Sequence, residues 1–249
     1  MNKAALIFCA ALMQSVSLHG QCTAADMKGD FATQPQGFFT LGPVAGPFAA
    51  NGVIHFDGVG KFTGVATSSF NGGIIYPFDA VGTYTVGADC RVVVFETTLS
   101  ITFEGYFANN KNEVVLFQPD RAAVTVNILR RQNLTPGDCI PAKLRDTWAI
   151  QAAGDIIETG GRFAQNGRLT FDGTGGLTGL TNSSINGQIA RETVRGTYRV
   201  DAECNFSARF VNTKGVEASI FGTLFDAGNQ FIFIYSDNGL VVTGFGKRP

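Results

Sequence analysis

The sequence predicts an all-β chain built as two tandem antiparallel up-and-down barrels of about eight strands each. Three observations carry that expectation. The chain repeats itself, its apolar residues alternate with a period of two, and the same Asp-Gly turns and strand glycines return in both copies.

The repeat is the firmest of the three. FAANGVIHFDGVGKFTGVATSSFNG, starting at Phe48, returns as FAQNGRLTFDGTGGLTGLTNSSING from Phe163, with about half of the positions identical. GTYTVGADC, ending at Cys90, returns as GTYRVDAEC, ending at Cys204. NEVVLFQPD from Asn112 answers to NQFIFIYSD from Asn229, and each copy closes on a basic pair, Arg130-Arg131 and Lys247-Arg248. Ordered matches at nearly constant offset place repeat 1 at 21–132, a linker at 133–138 and repeat 2 at 139–249.

Residues 1–20 read as an export signal. Lys3 supplies the positive end, and the apolar run from Ala4 to Met13 falls short of the roughly 20 residues a membrane-spanning helix needs. The mature chain is therefore expected in the periplasm or outside the cell, with no membrane span. With 19 basic against 20 acidic residues, no electrostatic footprint for nucleic acid is present.

Within repeat 1 the strands follow in order. One lies near Phe31. Next comes a strand in which Ile54 and Phe56 face one way while Val53, His55 and Asp57 face the other. Asp57-Gly58 turns the chain, as Asp172-Gly173 does in repeat 2, because Asp-Gly tolerates the positive φ of tight turns. Strands then run over 62–70, 74–86, 91–97, 99–107, 113–118 and 123–129. Glycines at 64, 82 and 105, matched at 179, 196 and 222, suit a sheet that bends into closure.

Cys22 stands nine residues before Phe31, and Cys139 stands nine before Trp148. Each repeat thus holds one cysteine at its start and one after its GTYxVxAxC strand. Repeat symmetry favours Cys22–Cys90 with Cys139–Cys204; the exchanged pairing, Cys22–Cys204 with Cys90–Cys139, stays open. The spacing does not suit zinc, so no metal is expected, and nothing in the sequence calls for a cofactor.

The string from a leading Cys through FDGxGxxxG and GTYxVxAxC to a basic pair resembles a family of exported bacterial β-domains of unknown function. That likeness implies an exported β-domain and no reaction. The chain is also similar to calycin or lipocalin-like barrels and to allene oxide cyclase-like barrels. The lipocalin likeness implies a cation closing the barrel floor over an aromatic ring. Here that would be Phe31 under Arg130 or Arg131, and Trp148 under Lys247 or Arg248.

Three residues are candidates for ligand contact. Tyr84 and Tyr198 share a face with strand glycines and can carry a hydroxyl into a cavity, and His55 is the one histidine beyond the leader. Because Thr170 replaces His55 in repeat 2 and no partner for it is legible, no catalytic residue is assigned. The functional expectation is an exported, non-catalytic module holding a small apolar ligand. The alternatives are a cell-surface structural or interaction protein with an envelope partner, and a cavity-type isomerase or cyclase.

Overall fold

The computed structural model describes residues 21–41, 45–119, 121 and 123–249. The expected signal segment, 1–20, lies outside the described residues. Barrel 1 comprises β1 (Gly29–Thr33), β2 (Gln36–Phe39), β3 (Gly46–Phe56), β4 (Lys61–Phe70), β5 (Gly73–Val86), β6 (Arg91–Glu96), β7 (Ile101–Ala108), β8 (Glu113–Phe117) and β9 (Ala123–Arg131). Barrel 2 comprises β10 (Asp146–Ile156), β11 (Gly161–Phe171), β12 (Gly176–Ile185), β13 (Gln188–Val200), β14 (Asn205–Asn212), β15 (Glu217–Phe225), β16 (Gln230–Tyr235) and β17 (Leu240–Lys247). The fold is two closed, eight-stave antiparallel barrels in tandem.

The barrels differ in their first stave. β1 and β2 both pair with β3 and with β9, so they are two halves of one strand, and the β3–β4 pairing closes the ring. Pro35 sits at the break. Proline has no N–H to give the ladder, so pairing stops there. The equivalent residue in barrel 2 is Ala152, and β10 runs unbroken for 11 residues.

The Asp-Gly turns are held by their own aspartates. Asp57 Oδ1 accepts the backbone N–H groups of Val59, Gly60 and Lys61 at 2.8, 2.9 and 3.0 Å. Asp172 Oδ1 accepts those of Thr174, Gly175 and Gly176 at 2.7, 3.0 and 2.9 Å. Backbone donors, led by Lys61 for Asp57 and Thr174 for Asp172, hold both carboxyls below the usual range. Their lone pairs serve the turn.

Each barrel is also stapled. Cys22 bonds to Cys90 and Cys139 to Cys204, closing loops of 68 and 65 residues. Two disulfides suit an oxidising compartment. Among the described residues, no helix is long and apolar enough to cross a membrane.

The barrels pack side by side through their outer walls. Ala32 on β1 meets Phe225 and Ile232, while Ala49 on β3 meets Ile234 and Val241. Around these contacts Thr223 Oγ1 donates to Asn51 Oδ1 at 2.7 Å, Ser69 Oγ to the Leu240 carbonyl at 2.8 Å, and Gln34 Nε2 to the Gly244 carbonyl at 2.9 Å. Thr243 Oγ1 donates to Gln36 Oε1. Gln132, at the end of barrel 1, donates to the Glu203 and Leu224 carbonyls at 3.1 Å each. The connection between the barrels is thereby pinned where it starts.

Candidate functional site

The floor of each barrel is sealed by the chain that leads into it. In barrel 1 the segment after Cys22 forms a short 3₁₀ turn (Ala24–Met27) whose Met27 is fully buried. Arg131 stacks over the Phe31 ring, its guanidinium 4.4 Å from the centroid. It donates to the Lys28 and Asp26 carbonyls at 2.7 and 2.6 Å. In barrel 2, Arg248 lies 4.8 Å from the Trp148 ring and donates to the Lys143 carbonyl. Trp148 Nε1 donates to the Leu144 carbonyl at 2.8 Å.

Of the paired basic residues, Arg131 and Arg248 therefore cover the rings. Arg130 turns outward instead and sits 5.3 Å from the Phe225 ring of barrel 2, and Lys247 is exposed. Alternation explains the choice. Leu129 faces the core, so Arg131 points inward and Arg130 does not. Arg131→Ala is expected to cost about 2–3 kcal/mol, combining a cation–π contact with two charge-assisted hydrogen bonds. Urea unfolding checks this, and Arg131→Lys should recover less than half because an ammonium lacks the planar fork.

The tyrosines belong to these floors. Tyr84 is buried and its hydroxyl donates to the Ala24 carbonyl at 3.2 Å, while Tyr198 donates to the Pro141 carbonyl at 3.0 Å. Burial raises the pKa of both phenols. Each hydroxyl tethers the plugging segment.

His55 lies on the outer wall, its side chain 60% exposed, with Nδ1 2.8 Å from Asp30 Oδ1. It lines an open crease of about 380 Å³ between the barrels, together with Asp30, Gln132 and Glu203. The expected ligand trio is thus distributed over two floors and one outer wall, and the structure does not bring it together.

What the structure does contain is a cavity inside barrel 1. Its volume is about 80 Å³, and its wall is mainly apolar, including Phe48, Ile54, Phe62, Leu116 and Leu129. Polar groups enter at a few points. Asn127 Oδ1 accepts the Thr33 hydroxyl at 3.0 Å. Glu96, 7% exposed, lines the cavity and caps the β6–β7 turn by accepting the Thr98 and Leu99 backbone N–H groups at 2.8 and 2.7 Å.

Barrel 2 uses the same staves differently. Phe231 packs with Trp148, Phe171 and Phe206 at ring separations of 4.8, 6.3 and 5.0 Å, and Phe233 lies 5.9 Å from Phe231 along the axis. The ladder places Phe231 opposite Gly246 and Phe233 opposite Gly244. A Cβ on either glycine would come within 2.2 or 2.3 Å of the facing ring. Barrel 1 has Val114 opposite Leu129 and Leu116 opposite Asn127 at these places. Where Glu96 stands in barrel 1, barrel 2 has Phe210, each paired with the strand glycine Gly82 or Gly196. Barrel 2 also ties Tyr235 to Gln165 at 2.7 Å, across a position that is Ala50 in barrel 1. Burial pushes the Tyr235 phenol far up. Large rings laid on glycines occupy the axis of barrel 2; medium side chains facing one another line the cavity of barrel 1.

No group of three or more His, Cys, Asp or Glu side chains able to hold a metal occurs among the described residues. No family model matches the chain, and no curated protein matches it. Among solved structures, EF1p2_mFAP2b bound to DFHBI is similar over 45% of this chain and 98% of that one, at 13% identity and a TM-score of 0.32. A protein of unknown function from the DUF3598 family of Nostoc punctiforme is similar over 92% of this chain and 100% of that one, at 9% identity and a TM-score of 0.27. At that distance neither likeness bears on activity.

Proposed function

We propose that this chain is an exported, non-catalytic binding module in which barrel 1 takes a small apolar ligand and barrel 2 serves as a solid support. One observation carries the reading: two copies of one unit share a fold and a floor, yet the interior is emptied in one and filled in the other. A cavity of about 80 Å³ is smaller than the roughly 150 Å³ hole known to admit benzene or xenon. The fitting group is therefore a short alkyl chain or a noble-gas probe. A ligand's polar end would meet Glu96 and Asn127, the groups barrel 2 replaces with Phe210 and Gly244.

The test is a graft of the barrel 2 solution onto barrel 1. Xenon or short alkanes titrated into the wild-type protein are expected to shift the methyl resonances of Ile54, Leu116 and Leu129 saturably. The double variant Leu116→Phe/Asn127→Gly should abolish those shifts while the protein still unfolds cooperatively, with some stability lost because Asn127 no longer accepts the Thr33 hydroxyl. Wild-type methyls that ignore every probe would end this reading.

A second role, as an interaction protein outside the cell, is favoured by an apolar outer wall on barrel 1.

A further inference from the structure

The contact between the barrels uses two different walls. Barrel 2 offers the outer face of β15–β17, where Ile232, Ile234 and Val241 are 0, 0 and 5% exposed. Barrel 1 receives it on the outer face of β1, β3 and β4, where Ala32 and Ala49 give close approach and Gln34, Asn51 and Ser69 supply hydrogen bonds. Both barrels descend from one unit, so each carries a version of both walls. One wall of each is left over.

The leftover offering wall belongs to barrel 1. The ladders place Val115, Phe117 and Val124 where barrel 2 has Ile232, Ile234 and Val241. They are apolar too, but 49, 50 and 72% exposed. Phe38, paired with Val124 on the adjacent stave, extends the patch and is 48% exposed. Contiguous apolar surface of this kind marks an interaction site.

The leftover receiving wall belongs to barrel 2. At the positions of Ala32, Gln34, Ala49, Asn51 and Ser69 it has Ala149, Gln151, Ala164, Asn166 and Ser184. All five types are the same, and all but the half-buried Ser184 are exposed. Neighbouring outward positions have diverged: Asp30, Val53 and His55 are matched by Thr147, Arg168 and Thr170. The polar pair Gln36 with Thr243 inside the chain becomes Ala153 with Val126 on the free walls. Both partners of this pair have changed together from hydrogen-bonding to apolar, while Thr223 and Phe225 are matched on the free wall by the exposed Tyr106 and by Ala108.

We infer that the chain associates head to tail with copies of itself, the outer wall of β7–β9 in one copy seating on the outer wall of β10–β12 in the next, as barrel 2 already seats on barrel 1 within the chain. The two walls differ, so the contact is heterologous. Every added copy presents a fresh free wall, and the assembly extends until it closes or runs on as a filament.

Sedimentation of protein expressed from the complete sequence tests this directly. The wild-type mass is expected to rise past that of two chains as concentration increases. Phe117→Lys spoils the offering wall and Ala164→Lys the receiving wall, so each variant alone should sediment as one chain. An equimolar mixture retains one intact pair of walls and should give two-chain particles and nothing larger. Thermal unfolding confirms that each variant is folded, with Val124→Lys replacing Phe117→Lys if that one is not. Three results would each overturn the proposal: a wild-type chain that stays single at every concentration, association that survives Ala164→Lys (the patch then meeting itself or another surface), or a mixture that never pairs.

Discussion

Replacing Phe231 with alanine is expected to remove about 3–5 kcal/mol from the stability of barrel 2. The ring is fully buried and contacts Trp148 and Phe206 at centroid distances of 4.8 and 5.0 Å. Its facing residue is Gly246, which has no side chain to move into the hole, so little collapse is available and the cost falls at the upper end for its size. Trp148 is the single tryptophan of the chain and touches the deleted ring, so urea unfolding followed by its fluorescence reads the right barrel. Val114→Ala, at the equivalent position of barrel 1, removes a much smaller side chain. It should cost less than half as much. Equal losses for the two variants would contradict the account of one solid and one hollow barrel.

The second large effect is expected from Cys139→Ala/Cys204→Ala. In the chain-entropy model, releasing a 65-residue loop costs roughly 4 kcal/mol. More is at stake here than loop closure. The bond anchors the segment that plugs the barrel floor, and that segment supplies the carbonyls of Pro141, Lys143 and Leu144 to Tyr198, Arg248 and Trp148. Freeing it should red-shift the Trp148 emission before global unfolding, and reduction of the wild-type protein should reproduce the shift. A loss under about 1 kcal/mol with unchanged emission would show that the floor holds without its staple.

Much of this architecture was legible in the chain. The duplication, the turn chemistry of Asp57 and Asp172 and the alternation at Ile54 and Phe56 all point to closed β-units, because each is a local consequence of backbone geometry. The choice between Arg130 and Arg131 was open from spacing alone, since adjacent strand residues face opposite sides and only the registered ladder says which side is inward. Hollowness was not legible for a different reason. It depends on residues from distant strands meeting across a barrel, such as Phe231 on Gly246 or Leu116 beside Asn127. No single segment announces the sum of their volumes.

Tyr84 and Tyr198 stand out in the sequence by sharing a face with strand glycines, and His55 as the one histidine beyond the leader. Neither feature can separate a hydroxyl spent on a floor carbonyl from one aimed at a ligand. Glu96 was missed, although it stands alone where its counterpart is Phe210. The strands carry one further signal. Phe231 to Tyr235 is apolar at every position, without alternation, which marks a strand covered on both sides. Val114 to Phe117 has the same character, yet its outer side is bare.

The hydroxyl and amide groups closed in between the barrels also fix an angle. The Thr223 hydroxyl reaches Asn51 Oδ1, and Ser69 and Gln34 reach the Leu240 and Gly244 carbonyls, only at one mutual rotation. Any twisted docking would strand them dry, at about 1–3 kcal/mol for each unmatched group. Alanines and isoleucines alone would tolerate such slippage. Greasy contacts make the two halves stick, while these few polar ones make them aim.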